Sequence, residues 1–261
     1  MEADALVRAR SRRSFLLRRL HSLSGVFPVG VFLVSHLFTN AKALKGQPAF
    51  DRAVADINHL PLLPLLEIFG IFVPLAFHAV YGVVLAFEGR TNVGRYPYSR
   101  NVLYTLQRAT GLVAFAFIAW HLWEFRIPKL FGRMSADAFY PTLESHLSST
   151  YGGFPVLAIV YLVGIAASVF HFANGLFTFS FSWGICVTRR SQRLFATAFG
   201  LLGVLVFVMG AQTTLYFATG AQFPAAPDPN SSPTFEHCSV VDPTPRTASP
   251  PAASSVTPRT P

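Results

Sequence analysis

Residues 68–87 read IFGIFVPLAFHAVYGVVLAF, an apolar block in which His78 is the only acidic or basic side chain. About 20 helical residues, each rising about 1.5 Å, cross the hydrocarbon core of a bilayer. The block therefore predicts a membrane-spanning helix with a histidine inside it. The complete block covers residues 60–87, and four similar blocks cover residues 26–44, 102–123, 153–183 and 194–218.

The composition of the whole chain agrees with this interpretation. Of 261 residues, 52% are hydrophobic and only 13% are charged, and the mean hydropathy is +0.43. Soluble domains carry about 25% charged residues. We therefore predict an all-α integral membrane protein with five transmembrane helices, of which four form a bundle and the fifth packs beside it. No small-residue cleavage site follows the first block, so we expect that block to be retained.

The net charge of +9 would suggest nucleic acid as a partner of a soluble protein, but its distribution indicates membrane topology instead. Lys and Arg are enriched in cytoplasmic loops. Thirteen basic residues fall on one side of an alternating topology and eight on the other, so we predict a cytoplasmic N-terminus and no nucleic-acid partner. The thirteen are Arg8, Arg10, Arg12, Arg13, Arg18, Arg19, Arg90, Arg95, Arg100, Arg108, Arg189, Arg190 and Arg193.

Three regions follow from these patterns. Residues 1–20 form a basic cytoplasmic arm, residues 21–219 form the membrane domain, and residues 220–261 form a disordered tail, rich in Pro, Ser and Thr, on the outer side. The two cysteines, Cys186 and Cys238, lie on opposite sides of the membrane in this topology and cannot pair. Two cysteines cannot hold an iron–sulfur cluster, and no dinucleotide-binding glycine motif is present. Any flavin or cluster must therefore belong to another subunit.

Four of the eight histidines lie within predicted spans, and their depths differ. His36 and His121 come within two turns of the outer flank of their spans, or about 9 Å along the helix axis. His78 and His171 each lie nineteen residues, or about 28 Å, from the outer flank. The depths predict two pairs, His36 with His121 and His78 with His171. A glycine four residues after each inner histidine leaves room for a flat group, although close helix packing would explain it equally well.

Two imidazoles from facing helices, without acids or thiolates at the same depth, suit an iron porphyrin with both axial positions filled. Two such sites predict two haems b. A zinc or copper transport site is the rival, but it would more often mix histidine with Asp, Glu or Cys. A single intramembrane histidine could also bond a neighbouring helix, whereas four on successive spans are harder to explain in that way.

Four stretches make the chain recognisable as a member of a family. It resembles the di-haem cytochrome b membrane-anchor subunits of succinate dehydrogenases and fumarate reductases, most closely the Bacillus-like succinate:menaquinone oxidoreductases, over residues 17–218. Such proteins lie in the bacterial cytoplasmic (inner) membrane. The stretches are RRLHSLSGVFPVGVFLVSHL (18–37), LEIFGIFVPLAFHAVYGV (66–83), LQRATGLVAFAFIAWHLWE (106–124) and FHFANGLFTFSFSWGICVTRRSQR (170–193).

The resemblance implies the same histidine pairs, with His36 and His121 on the outer haem iron and His78 and His171 on the inner one. It also implies docking to an iron–sulfur subunit and a flavoprotein subunit that holds the succinate site, and menaquinone as the electron acceptor. In the fumarate reductase branch, an acidic residue lies two positions before the fourth-span histidine. Val169 occupies that position here, which favours succinate oxidation. Alternatives are fumarate reduction, a non-respiratory di-haem cytochrome, or an anchor whose haems are only structural.

Further polar residues are candidates for contacts with the cofactors. His21 and Ser22, at the cytoplasmic start of the first span, and Arg108 on the third are suited to haem propionates, or to interfacial anchoring. Glu67 is predicted to lie inside the bundle near the outer haem and to exchange protons with quinone, or to be a structural carboxylate bonded to a neighbouring helix. The same two possibilities apply to Asn40 and Glu124. We expect His146 and His237 to be solvated and His59 to lie at the interface.

Overall fold

The computed structural model describes residues 2–221, and side chains from residue 12 onward. Within that range the chain is helical and forms no extended strand pairing beyond one isolated bridge between Tyr151 and Phe154. Apart from residues 220 and 221, the predicted disordered tail lies outside the described residues. The α-helices are α1 (Glu2–Val26), α2 (Val29–Asn40), α3 (Gln47–Asn58), α4 (Leu63–Glu67), α5 (Val73–Glu88), α6 (Ser99–His121), α7 (Ile127–Leu130), α8 (Phe139–Ser148), α9 (Val156–Ser182) and α10 (Arg189–Thr219).

Five stretches of the described chain are long and apolar enough to cross a membrane, which confirms the predicted fold class. They are Arg12–Lys45, Leu63–Glu88, Ser99–Leu130, Val156–Ser182 and Arg189–Thr219. The first begins earlier than residue 26, the boundary predicted from hydropathy, because the arginines before that residue do not interrupt helix α1. The division between an arm and the first span at residue 20 is therefore not visible in the backbone and stays a prediction.

Prolines explain the irregular places in the spans. Pro28 separates α1 from α2, and the Phe27–Pro28 peptide bond is cis. Pro74 and Pro128 lie at the second residue of α5 and α7, and each follows a π-helical turn, Ile68–Phe72 in the second span and Leu122–Arg126 in the third. A proline inside a helix cannot donate a backbone hydrogen bond and clashes with the carbonyl four residues earlier, and the wider turn accommodates both effects.

The helices pack so that the first four spans surround a common interior. Helix α1 packs on α5 and α9, α6 packs on α5 and α9, and α10 packs along α9 and α2. Gly203 allows the close approach of α9, because a Cβ there would lie 2.8 Å from the Cβ of Ala173. Large apolar side chains such as Leu201 and Leu205 face outward with more than 60% of their surface exposed, as expected of a lipid-facing wall.

The two ends of the bundle differ. At the arginine end, which we define as the end holding residues 12–19, 88–100 and 183–193, an ion pair joins Arg18 to Glu88 and the Arg19 guanidinium lies over Trp183. At the capped end, α3 and α8 cover the bundle through an aromatic cluster. The members of that cluster include Phe50, Tyr140, Tyr216 and Phe217. Burial and the neighbouring Tyr216 hydroxyl raise the pKa of Tyr140.

Candidate functional site

A cavity of about 710 Å³ runs through the interior of the first four spans. Apolar side chains form most of its wall, and α10 contributes a smaller part near Gly210 and Thr213. All four span histidines line the cavity. The spans therefore enclose an elongated, largely apolar space with imidazoles at more than one depth.

The histidines meet in two pairs across this cavity. The ring centroids of His78 and His171 lie 6.0 Å apart with an interplanar angle of 84°, and those of His36 and His121 lie 5.9 Å apart at 70°. The pairs occupy different levels. Gly111 faces His171 and lies ten residues before His121 on the same helix, a separation of about 15 Å along its axis.

Backbone carbonyls orient the pair nearer the arginine end. Nδ1 of His78 lies 2.9 Å from the carbonyl oxygen of His21, and Nδ1 of His171 lies 2.9 Å from that of Gln107. The Gln107 side chain strengthens this contact, because its Nε2 donates to the His171 carbonyl and its Oε1 accepts from Asn174. With Nδ1 engaged in this way, each ring has Nε2 available for a metal.

Side chains contact both members of the pair nearer the capped end. Nδ1 of His121 lies 3.2 Å from the hydroxyl of Tyr161. The Asn40 side chain donates to the backbone carbonyl of His36 at 2.8 Å and lies 3.4 Å from Nε2 of the same histidine. Asn40 thus lies one turn from His36 and contacts it directly, as the spacing predicts.

The spacing of each pair fits a six-coordinate iron porphyrin. A metal–imidazole bond of about 2 Å on each side places the two nitrogens about 4 Å apart, and adding the ring radii gives centroids about 6 Å apart. The 5.9 and 6.0 Å separations match this geometry. Among the described residues, no three His, Cys, Asp or Glu side chains are grouped to hold a metal ion, whereas haem requires only two protein ligands.

Glycines make room around the histidine pair nearer the arginine end, and two of them, Gly25 and Gly111, were not predicted from the sequence. A Cβ on Gly25 would lie 2.3 Å from Cε1 of His78, and a Cβ on Gly111 would lie 2.8 Å from Cε1 of His171. Each glycine belongs to a helix that faces the histidine, so spacing along one helix could not reveal it. The predicted small residues, Gly82 and Gly175, both line the cavity as well.

His21, Ser22 and Arg108 all line the cavity near the arginine end. Hydropathy predicts His21 at the membrane surface, before the first span, but this residue lies within helix α1, with its ring stacked on that of His78. Arg108 donates to the carbonyl of Leu85 at 3.1 Å and lies over the ring of Tyr104. These positions are compatible with propionate contacts, which remain a prediction.

Glu67 lines the same cavity near the capped end and has a partner on another span. Its Oε2 accepts a hydrogen bond from Nη2 of Arg126 at 2.6 Å, and both side chains are largely shielded, with 20% and 25% of their surface exposed. Lys129, one turn further along, donates to the side chain of Asn58 at 2.8 Å. Glu67 therefore combines the two predicted features, an interhelical bond and a position on the cavity wall.

Glu124 and His146 form a pair that the sequence analysis did not predict. Nδ1 of His146 on α8 lies 2.9 Å from Oε1 of Glu124, and only 36% of the His146 side chain is exposed. The prediction of a solvated His146 was therefore wrong, because α8 folds back over the capped end and carries the histidine to the third span. His59 is exposed at the end of α3, and His237 lies outside the described residues.

The remaining predictions concern Val169 and the cysteines. Val169 is 2% exposed and packs against Leu37, Ile165 and Val206 in an apolar cluster, so this position holds no group that could carry protons. Cys186 is fully buried beyond the end of α9, while Cys238 lies outside the described residues.

Five apolar spans, the first four of which surround inward-facing histidines, define the chain as a multi-pass helical membrane protein of the cytochrome b class. No protein-family model matches the chain. It is 47% identical over 182 residues to the succinate dehydrogenase cytochrome b558 subunit of Bacillus subtilis (strain 168), an alignment that covers 70% of this chain and 86% of that relative. The chain belongs to the family of succinate dehydrogenase cytochrome b subunits, and it is a multi-pass protein of the bacterial inner membrane.

Proposed function

We propose that this chain is the membrane anchor and electron-transfer subunit of a succinate:menaquinone oxidoreductase and holds two haems b. Two histidine pairs at two levels of one cavity, with centroids 5.9 and 6.0 Å apart, carry the proposal. Bound haem would supply one-electron transfer, because iron with two imidazole ligands has no open position for oxygen.

Each group of residues has a distinct role in this proposal. His36 and His121 hold the iron nearer the capped end, and His78 and His171 hold the iron nearer the arginine end. His21, Ser22 and Arg108 stabilise the propionate groups of the second haem through hydrogen bonds and charge. The apolar wall of the cavity excludes water from both sites.

The arginine end is the proposed docking face for the partner subunits. Clustered positive charge favours the cytoplasmic side of the membrane, so this end would face the cytoplasm. It would dock the iron–sulfur subunit, which in turn carries the flavoprotein subunit with the succinate site. Arg18 and Arg100 illustrate its character, since both side chains are exposed and each, within the described part of the chain, donates to one side chain, Glu88 and Gln192 respectively.

Menaquinone is proposed to react near the capped end, where Glu67 lines the cavity. The Glu67 carboxylate would exchange a proton with the quinone, and Arg126 would hold it in position through the 2.6 Å contact to Oε2. The apolar surroundings of Val169 support succinate oxidation rather than fumarate reduction, because no acid lies there to carry compensating protons.

Haem stoichiometry in four single variants tests the proposal. His36→Ala, His78→Ala, His121→Ala and His171→Ala are purified as complexes, and haem per chain and the EPR spectrum of low-spin iron are measured. Each variant should lose one haem, and the missing EPR signal should be the same for positions 36 and 121 and the same for 78 and 171. Wild-type protein that stays colourless with ample haem would overturn the proposal.

A further inference from the structure

The two histidine pairs differ in what binds Nδ1. At the inner pair, both Nδ1 atoms contact backbone carbonyls, those of His21 and Gln107. His121 instead contacts the hydroxyl of Tyr161, a side chain from the neighbouring fourth span. A backbone carbonyl is a fixed neutral acceptor, whereas the strength of a hydroxyl acceptor depends on where its own proton points.

The proton of Tyr161 points to an acid. Its hydroxyl lies 3.3 Å from Oε2 of Glu124, and the other oxygen of that carboxylate lies 2.9 Å from Nδ1 of His146. Tyr161 accepts from His121 and donates to Glu124, so two hydrogen bonds join His121 to this carboxylate, and His146 of α8 lies within ion-pair distance of it. Exposure increases along this chain of contacts, from 6% for Tyr161 to 15% for the Glu124 side chain and 36% for that of His146.

Packing holds this chain in one geometry. The Tyr161 ring contacts the rings of Phe117 and Trp120 edge to face, with centroids 5.3 and 5.5 Å apart. Gly164, one turn along the same helix, lies against Phe117, and any Cβ there would meet that ring at 2.2 Å. The phenol therefore cannot swing away from His121 without disturbing its aromatic neighbours.

We propose that Tyr161, held by Glu124, is a positioning residue that orients His121 and makes it a more basic iron ligand. A hydroxyl that donates to a carboxylate becomes a better acceptor, and a stronger bond at Nδ1 increases electron donation from Nε2. A more basic imidazole stabilises the oxidised iron, so the chain lowers the reduction potential of the haem nearer the capped end. This inference rests on the proposed role of His121 as a haem ligand.

Redox titration of the purified complex, followed by haem absorbance and EPR, tests the inference. Tyr161→Phe should raise the midpoint potential of one haem and shift its low-spin EPR signal while leaving the other haem unchanged. Glu124→Gln, which keeps the hydroxyl but removes the charge, should shift the same component in the same direction. Tyr140→Phe is the matched control, since it removes a buried hydroxyl at the capped end that bonds Tyr216 rather than His121.

The double variant, Tyr161→Phe with Glu124→Gln, shows whether Glu124 acts on the haem through the Tyr161 hydrogen bond or through its charge alone. If Glu124 acts through Tyr161, then Glu124→Gln should add no further shift in the Tyr161→Phe background, whereas additive shifts would overturn the inference. Unchanged potentials in Tyr161→Phe with both haems present would also overturn it. If Tyr161→Phe loses a haem, Glu124→Gln decides: a shift of one component supports the chain, and no shift overturns it.

Failure of the proposed function gives a different result. A wild-type complex without haem, or His121→Ala with full haem content, would remove His121 as a ligand. By contrast, a wild-type complex with two titrating haems and an unresponsive Tyr161→Phe variant would reject only the role of Tyr161.

Discussion

The imidazole rings of His21 and His78 lie stacked, with centroids 4.1 Å apart and planes 10° from parallel. His21 belongs to the first span and His78 to the second, and the backbone carbonyl of His21 also contacts Nδ1 of His78 at 2.9 Å. A Cβ on Gly82 would lie 3.0 Å from Cε1 of His21, so this ring is held between two parts of α5. His21 thus contacts His78, a proposed haem ligand, through both its ring and its backbone carbonyl.

We expect His21→Ala to weaken binding of the haem nearer the arginine end without abolishing it. The backbone contact to His78 persists, while the lost ring contact is worth about 0.5–1.5 kcal/mol, or roughly a two- to tenfold loss of affinity. Competition for haem with an apoprotein acceptor measures the change. His21→Phe keeps a stacking ring but not the proposed propionate contact, so it should restore only the part of the affinity that stacking supplies; equal losses in both variants would contradict a contribution from stacking.

Gly25→Ala and Gly111→Ala should each disturb the inner histidine pair. The added methyl would lie 2.3 Å from Cε1 of His78 in the first case and 2.8 Å from that of His171 in the second. Such overpacking costs about 1–3 kcal/mol and would move the ring away from the iron. Haem per chain should fall from two toward one, more completely for Gly25→Ala. Gly200→Ala is the control, since a Cβ at this position would meet no neighbouring atom of the described residues within 4 Å, and it should retain both haems.

Arg108→Gln should weaken the haem nearer the arginine end by about tenfold or more. A charge-assisted hydrogen bond contributes about 1.5–3 kcal/mol, and Arg108 lines the cavity with several N–H groups beyond the one bonded to Leu85. Haem dissociation at increasing salt measures the effect. Arg100→Gln lies on the same helix but bonds Gln192 away from the cavity, so it should bind haem normally. Equal weakening of haem binding in Arg108→Gln and Arg100→Gln would contradict a direct contact and indicate a general effect of positive charge.

Glu67→Gln should abolish quinone turnover while both haems remain bound, because an amide cannot accept or release the proton that quinone chemistry requires. Succinate:quinone activity and haem content are measured on the same preparation. Glu88→Gln is the control in the same span, since its carboxylate is 57% exposed and pairs with Arg18 at the other end of the bundle. Normal turnover in Glu67→Gln would remove this carboxylate from the reaction.

Gln107→Leu should destabilise the complex by about 1–3 kcal/mol without changing its haem spectrum. Two hydrogen bonds to the fourth span are lost, from Nε2 to the carbonyl of His171 and from Asn174 to Oε1. The backbone carbonyl of Gln107 still accepts from His171, so the ligand keeps its orientation. Thermal unfolding in detergent measures the loss. Gln192→Leu, which removes only solvent-exposed hydrogen bonds, should lower the stability by less. A shifted haem spectrum in Gln107→Leu would contradict the separation of the two roles.

Periodicity and hydropathy were sufficient to predict most of the architecture. Each span is a long apolar block, because a bilayer offers no water to satisfy backbone groups and only a helix of about 20 residues can cross it. The depths of His36, His78, His121 and His171 also follow from residue counts, since a straight helix converts sequence distance directly into depth. Helix α1 begins before the apolar block at residue 26, because hydropathy reports lipid contact and not the length of the helix.

Contacts between helices that face each other could not be predicted in this way. Gly25 approaches His78 and Tyr161 reaches His121 only because the bundle rotates particular faces together, and rotation about the helix axis leaves no trace in hydropathy. The prediction of a solvated His146 was wrong for the same reason. Its contact with Glu124 depends on α8 packing over the capped end, which the sequence does not reveal.

The sequence by itself determined that the chain crosses the membrane five times and carries four histidines at two depths, since burial in lipid depends on local composition alone. Tertiary structure alone decided which groups bind each imidazole: a carbonyl for His78 and His171, and a tyrosine joined to an acid for His121. Hydrogen bonds act over about 3 Å, and only the packing of whole helices sets distances on that scale.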